Sequence, residues 1–174
     1  GFGGLFGGNA LLGPERSHSV ELGADWRPGN QQLSARAFRT RVRDLIAFEG
    51  GQTFTALNIA RAALDGVELA WGTRIGQTQL DASATWQHAR DTDTGLDLLR
   101  RAERKLAFAA EHPFGALLVG ADLQYTSPRR DFGGELGGFV LANLRVERAL
   151  DAAWRLGLRL DNATDRDYEQ AAGF

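Results

Sequence analysis

Cysteine and methionine are both absent from the 174 residues. Without cysteine there is no disulfide framework and no thiolate metal site. Without an initiating methionine the chain reads as an internal fragment of a longer one, so the want of a signal peptide carries no weight against export. No run of eighteen apolar residues occurs, which excludes a transmembrane helix. Charge of one sign is missing too. The 20 Lys and Arg stand against 22 Asp and Glu, for a net charge of −2, and are spread beside them along the chain. That distribution makes no basic patch and excludes nucleic acid as a partner. Histidine is scarce: His18, His88 and His112 lie far apart in neither a metal-binding nor a triad spacing. The N-terminal glycines are followed by no GK[ST] and so make no phosphate loop. These absences lead us to expect no enzyme, no metal and no cofactor.

A β-barrel survives every one of these exclusions. In lipid each backbone N–H and C=O must be paired internally, and a closed sheet achieves this while needing apolar residues only at alternate positions. Four stretches alternate in that way: Val20, Leu22, Ala24, Trp26; Leu80, Ala82, Ala84, Trp86; Leu117, Val119, Ala121, Leu123, Tyr125; and Trp154, Leu156, Leu158, Leu160. Between them stand Glu21, Asp25, Asp81, Asp122, Arg155, Arg159 and Asp161, so the second face carries charge of both signs. Tight connections at 27–30, 76–78 and 113–115 take turns with long polar ones at 90–101 and 128–138. Short turns on one rim and long loops on the other are the signature of an outer-membrane barrel.

The pattern predicts an all-β antiparallel meander of about eight long strands, over 15–27, 31–48, 54–75, 78–89, 102–111, 117–126, 139–148 and 154–162. Residues 1–14 read as an external loop and 49–52 as a hairpin tip. Alternation stumbles at Ala37-Phe38, where a β-bulge would exchange the faces. Helix competes for 96–112, which is rich in Leu, Arg, Ala, Glu and Lys. Trp26, Phe114 and Trp154 near the turns, with Trp86 and Tyr125 at the loop ends, suit two interfacial aromatic girdles.

The tail carries a resemblance. Leu160-Asp161-Asn162-Ala163-Thr164-Asp165-Arg166-Asp167-Tyr168 resembles the segment near the end of TonB-dependent outer-membrane receptors, with Asn162, Asp165 and Tyr168 in their places and Gly173-Phe174 standing where Gly-Tyr would. Ala163 and Thr164 replace the common Leu and Phe. Gly13-Pro14-Glu15-Arg16-Ser17 with Glu21-Leu22-Gly23 is similar to the family's opening of a strand, and Asp65-Gly66-Val67-Glu68 to another; Asn58 upstream also fits. The stretch from Ala89 to Ala102 is similar to a loop of the cobalamin-receptor branch.

The resemblance implies a transmembrane barrel of about twenty-two strands with a filled lumen, of which residues 1–174 would be the C-terminal part, with the plug domain and the last strand absent. It implies the outer membrane of a Gram-negative bacterium, contact with its lipid, and plug and TonB as partners through missing parts of the parent chain. The nutrient ligand would be a corrinoid such as cobalamin, or a ferric siderophore. An independent small barrel or pore is the structural alternative. Recognition belongs to outer loops, which singles out Arg90, Asp91 and Asp93 in one loop and Arg129, Arg130 and Asp131 in another. Motif residues are Glu15, Glu21, Gly66, Glu68, Asn162, Asp165 and Tyr168.

Overall fold

A computed structural model of the chain describes residues 6–7, 9–49 and 54–172. The elements, in chain order, are β1 (Phe6–Gly7), β2 (Arg16–Trp26), β3 (Gln31–Glu49), β4 (Phe54–Ile75), β5 (Thr78–Asp91), β6 (Arg104–Phe114), β7 (Leu117–Thr126), β8 (Arg129–Asp131), β9 (Gly134–Leu136), β10 (Phe139–Ala149) and β11 (Arg155–Leu160). No helix occurs among the described residues. One sheet runs in the order β11-β10-β7-β6-β5-β4-β3-β2, antiparallel throughout, with β1 laid parallel against the start of β4. The expected meander of eight long strands is therefore present, each strand beside its neighbour in sequence.

Glycine shapes the short rim. Gly76 and Gly115 take left-handed φ of 60° at the tips of the β4–β5 and β6–β7 hairpins, a conformation that costs glycine little. At 104–114 strand prevails over helix, because ladders to β5 and β7 use both edges of the segment. Propensity is a weak preference beside two complete ladders. The 128–138 connection holds the small β8–β9 hairpin instead of an irregular loop. The expected hairpin tip at 49–52 lies outside the described residues beyond Glu49, as does Gly173-Phe174.

The wall has no conventional core. Among the described residues no large side chain is fully buried, and the buried apolar ones are Ala56, Ala62, Ala63, Ala89 and Ala102. Leu22, Trp26, Leu69, Trp86, Leu106, Leu123, Leu144, Trp154 and Leu158 are all exposed. They fall on one face through the ladder pairings Leu22↔Ala37↔Val67↔Trp86 and, across later strands, Leu106↔Tyr125↔Val140. An apolar belt this wide cannot face water; it is lipid-facing.

The bulge expected at Ala37-Phe38 is absent. Register runs unbroken from Leu33 to Arg43 against both neighbours. The faces do not exchange there; the outward face changes chemistry. Beyond Ala37 the outward positions are Arg39, Arg41 and Arg43, with Leu45 following them. Phe38 turns inward and lies over Gly66, where a Cβ would come within 2.5 Å of its ring and 2.8 Å of the Trp86 carbonyl oxygen.

Candidate functional site

The inward face is a surface of paired charges. Arg36 donates to Asp25 at 3.2 Å and stands 3.8 Å from Glu21. Arg145 pairs with Glu111 across two strands, Arg155 lies 3.7 Å from Glu147, and Arg159 reaches Asp161 at 2.6 Å. Asn143 donates to Asp122 at 2.7 Å. Glu68 and Arg74 face the same side without an ion-pair partner among the described residues. Long side chains lie down over glycines directly opposite: Arg36 over Gly23, Arg145 over Gly120. A Cβ on Gly120 would meet the Arg145 side chain at 2.7 Å, so glycine there is what lets the arm lie flat. Cross-strand pairs of this kind each contribute roughly 0.2–1 kcal/mol.

Above the belt the two long loops are tied together. Asp131 is the centre, its side chain 1% exposed. It accepts from Arg100 Nε at 2.8 Å, from its neighbour Phe132 N at 2.8 Å and from Ala172 N at 2.6 Å. Burial pushes this carboxyl up, but the donors at Ala172, Arg100 and Phe132 together outweigh it and hold it below the ordinary carboxylate range. Arg100 also donates its amide to the Arg130 carbonyl, and Arg130 returns a bond to the Asp97 carbonyl at 2.7 Å.

Each residue singled out for the loops thus has a structural engagement. Arg90 stands 3.6 Å from Asp97, Asp91 accepts from the Asp93 and Thr94 amides, and Asp93 pairs with Arg61 at 2.6 Å. Arg129 is buried, donates through Nη2 to the Glu169 carbonyl and stacks over Phe139. Its Nη1 is buried with no hydrogen-bond partner. The loops bring Arg90, Arg129 and Arg130 to one cavity of about 440 Å³, shared with Arg101 and Arg104 against Asp97, Glu103 and Glu135. Asp91, Asp93 and Asp131 do not line it. His88 does, 3.1 Å from Glu103. Sequence reasoning passed over Arg100, although its place in the 90–101 loop with five other charges was a signal.

Of the motif residues, Glu15, Asn162, Asp165 and Tyr168 fasten the chain, whereas Glu21 stands beside Arg36, Gly66 lies under Phe38 and Glu68 has no ion-pair partner among the described residues. Glu15 accepts from the Ile46 amide at 2.5 Å, and Asn58 bonds Gly13 through both its amide groups while also reaching the Asp44 carbonyl. Asn162, at a φ of 50°, closes a loop on Arg166 with two bonds near 3.0 Å. Asp165 donates its amide to the Asn162 carbonyl, and Tyr168 packs on Phe139 at 4.7 Å. Ala163 donates to the Ala142 carbonyl, so this tail continues the ladder along β10 above β11.

A sequence model described as "TonB dependent receptor-like, beta-barrel" matches residues 1–163. The chain belongs to the TonB-dependent receptor β-barrel family. This places it in the outer membrane of a Gram-negative bacterium and accounts for the belt. Among curated relatives of this receptor chain, the vitamin B12 transporter BtuB of Vibrio vulnificus is 27% identical over 168 residues, 94% of this chain and 27% of that protein. The receptor chain thus spans about a quarter of the length of that relative. Among solved structures, the copper transporter OprC matches at a TM-score of 0.80 and 21% identity, over 91% of this chain and 27% of that one. The ferric yersiniabactin uptake receptor FyuA of Yersinia pestis matches at 0.77 and 19%, over 90% and 26%. At these identities the two structures attest the receptor fold.

Proposed function

We propose that this chain is the C-terminal wall section of a receptor that takes a scarce, bulky nutrient across the outer membrane with TonB-derived energy, and that the nutrient is a corrinoid. The observation that carries the reading is the likeness to a vitamin B12 transporter along 94% of the chain. The wall suits the task. Its inner face offers charges already paired and laid flat, against which a plug can seat with little desolvation, while Glu68 and Arg74 remain for direct contact. The chemistry is transport and recognition, without a catalytic step.

Ligand recognition in this reading falls to the 90–101 and 128–138 segments. Arg90, Arg129 and Arg130 provide donors at the cavity between them, and Asp91, Asp93 and Asp131 hold the loops in shape. The cavity itself favours a second reading. Five arginines and an unpartnered Nη1 of Arg129 suit an anionic ferric chelate. Uptake by cells carrying the full-length receptor separates the two. Labelled cyanocobalamin uptake, unaffected by ferric siderophores, supports the corrinoid; uptake of a ferric siderophore alone overturns it in favour of the second reading. Uptake of neither, in cells with intact TonB, overturns both.

A further inference from the structure

Above the belt the outward face of β2, β3 and β4 is arginine-rich. Row by row the ladder sets Val20, Arg39 and Asp65 side by side, then His18, Arg41 and Ala63, then Arg16, Arg43 and Arg61. The last row places three like charges directly opposite one another, an arrangement that is unfavourable unless something neutralises it. Asp65 is the one carboxylate for two guanidinium groups: Arg39 Nε at 2.8 Å and Arg41 Nη1 at 3.2 Å. Arg61 is served by Asp93. Arg16 and Arg43 have no acidic partner among the described residues, and both are exposed. Arg16, Arg39, Arg41 and Arg43 point away from the lumen and do not line the loop cavity, so neither plug nor transported ligand supplies the missing anion; His88 and Arg90, which continue the first two rows on β5, do line it.

The same strands carry a second feature just below. The belt contains an apolar depression of about 590 Å³ floored by Ala24, Ala35, Ala82 and Ala84 and walled by Trp26 and Trp71. Ala35 lies two outward positions below Arg39 on β3, one alternation of the strand apart from Ala37. One outward row, Leu22, Ala37, Val67 and Trp86, separates the slot from the guanidinium groups, and it too is apolar, so slot, row and arginines line up as one lipid molecule would, acyl chain below and anionic head above.

We infer that the outward face of β2–β5 holds a lipid with a phosphorylated headgroup from the outer leaflet, its phosphate on Arg16, Arg39, Arg41 and Arg43 and an acyl chain in the alanine-floored slot. Guanidinium groups bind phosphate oxygens through paired, charge-assisted hydrogen bonds, and basic residues at a membrane surface each add appreciably to binding of anionic lipid. Continuity of the arginine rows with the lipid-facing belt selects a lipid phosphate over a soluble one.

The test uses the full-length receptor in phosphatidylcholine nanodiscs, with phosphatidic acid as probe and retained lipid read by native mass spectrometry. The parent protein should retain phosphatidic acid over phosphatidylcholine. The triple variant Arg39→Gln, Arg41→Gln, Arg43→Gln should retain it about tenfold less or weaker still. Arg148→Gln, an outward arginine at the opposite rim, should change nothing. Ala35→Trp, which fills the slot and leaves the arginines, should also lower retention, and the single change Arg43→Gln gives a gentler step if the triple variant folds poorly. Undiminished retention in the arginine variants, equal loss on Arg148→Gln, or displacement of the lipid by inorganic phosphate would each overturn the assignment.

Discussion

The two faces of this wall are made by the same strands, yet they are stabilised by different means. Outward, Leu22, Leu69, Leu106 and Leu158 touch little protein and depend on the solvent being lipid. Inward, Arg36 and Arg145 depend on partners a strand or two away and on glycines that let them lie down, and Arg159 on Asp161 two residues along. Period-2 alternation brings these two regimes within one residue of each other. A substitution is therefore judged by the parity of its position more than by its chemical severity.

The largest effect should come from putting inner-face chemistry on the outer face. Leu106→Arg, on the lipid-facing belt, should lower unfolding free energy in lipid vesicles by up to about 2–4 kcal/mol. The mirror change, Ala107→Arg on the inner face, should cost far less, and equal losses at the two positions would break the comparison. Next comes the inner face's own constraint on space. Gly66→Ala drives a methyl into Phe38 and the Trp86 backbone and should cost about 1–3 kcal/mol. Adding Phe38→Ala should recover the part due to the ring but not the part due to the carbonyl. A double-mutant cycle reads the split.

Smaller and more local is the loop latch. Asp131→Asn weakens the bond to Arg100 while keeping its shape, and should cost about 1–2 kcal/mol. The loss should appear as faster amide exchange in 92–103 and 127–138 with the wall unchanged. Because folding depresses the Asp131 carboxyl, its contribution is full above the unfolded value of about 3.9 and fades as pH falls through the lower folded value. Loops that stay protected at that acidity would contradict the geometry. The smallest effect belongs to exposed pairs: Arg36→Gln should change stability by less than about 1 kcal/mol, and a larger loss would mean that the inner face is drier than its exposure indicates.

The belt, the strand count and the rim asymmetry were legible because each is periodic along the chain. Trp26, Trp86 and Leu158 announce their face by their neighbours two residues away. The stumble at Ala37-Phe38 was legible but misread. A change of side chain on an unchanged face looks, in sequence, like a change of face, and only the register against Gly66 and Glu21 separates the two. The loop latch was not legible. Asp131, Arg100 and Ala172 are joined across 31 and 41 positions, and contacts between loops follow no period. The arginines of β3 were visible, but their outward direction follows from the same unbroken register that removes the bulge.

The seats of Arg36 on Gly23, Arg145 on Gly120 and Phe38 on Gly66 have a consequence for how such a wall can change over generations. Each seat is a shared volume divided unequally between two positions, and neither can enlarge alone. Drift at one should wait for drift at the other, so a lineage that gains bulk at position 23, 66 or 120 should show shrinkage at 36, 38 or 145 in the same step. Paired substitution at ladder-opposite sites, with summed side-chain volume nearly constant, is the mark this geometry should leave in an alignment of related walls.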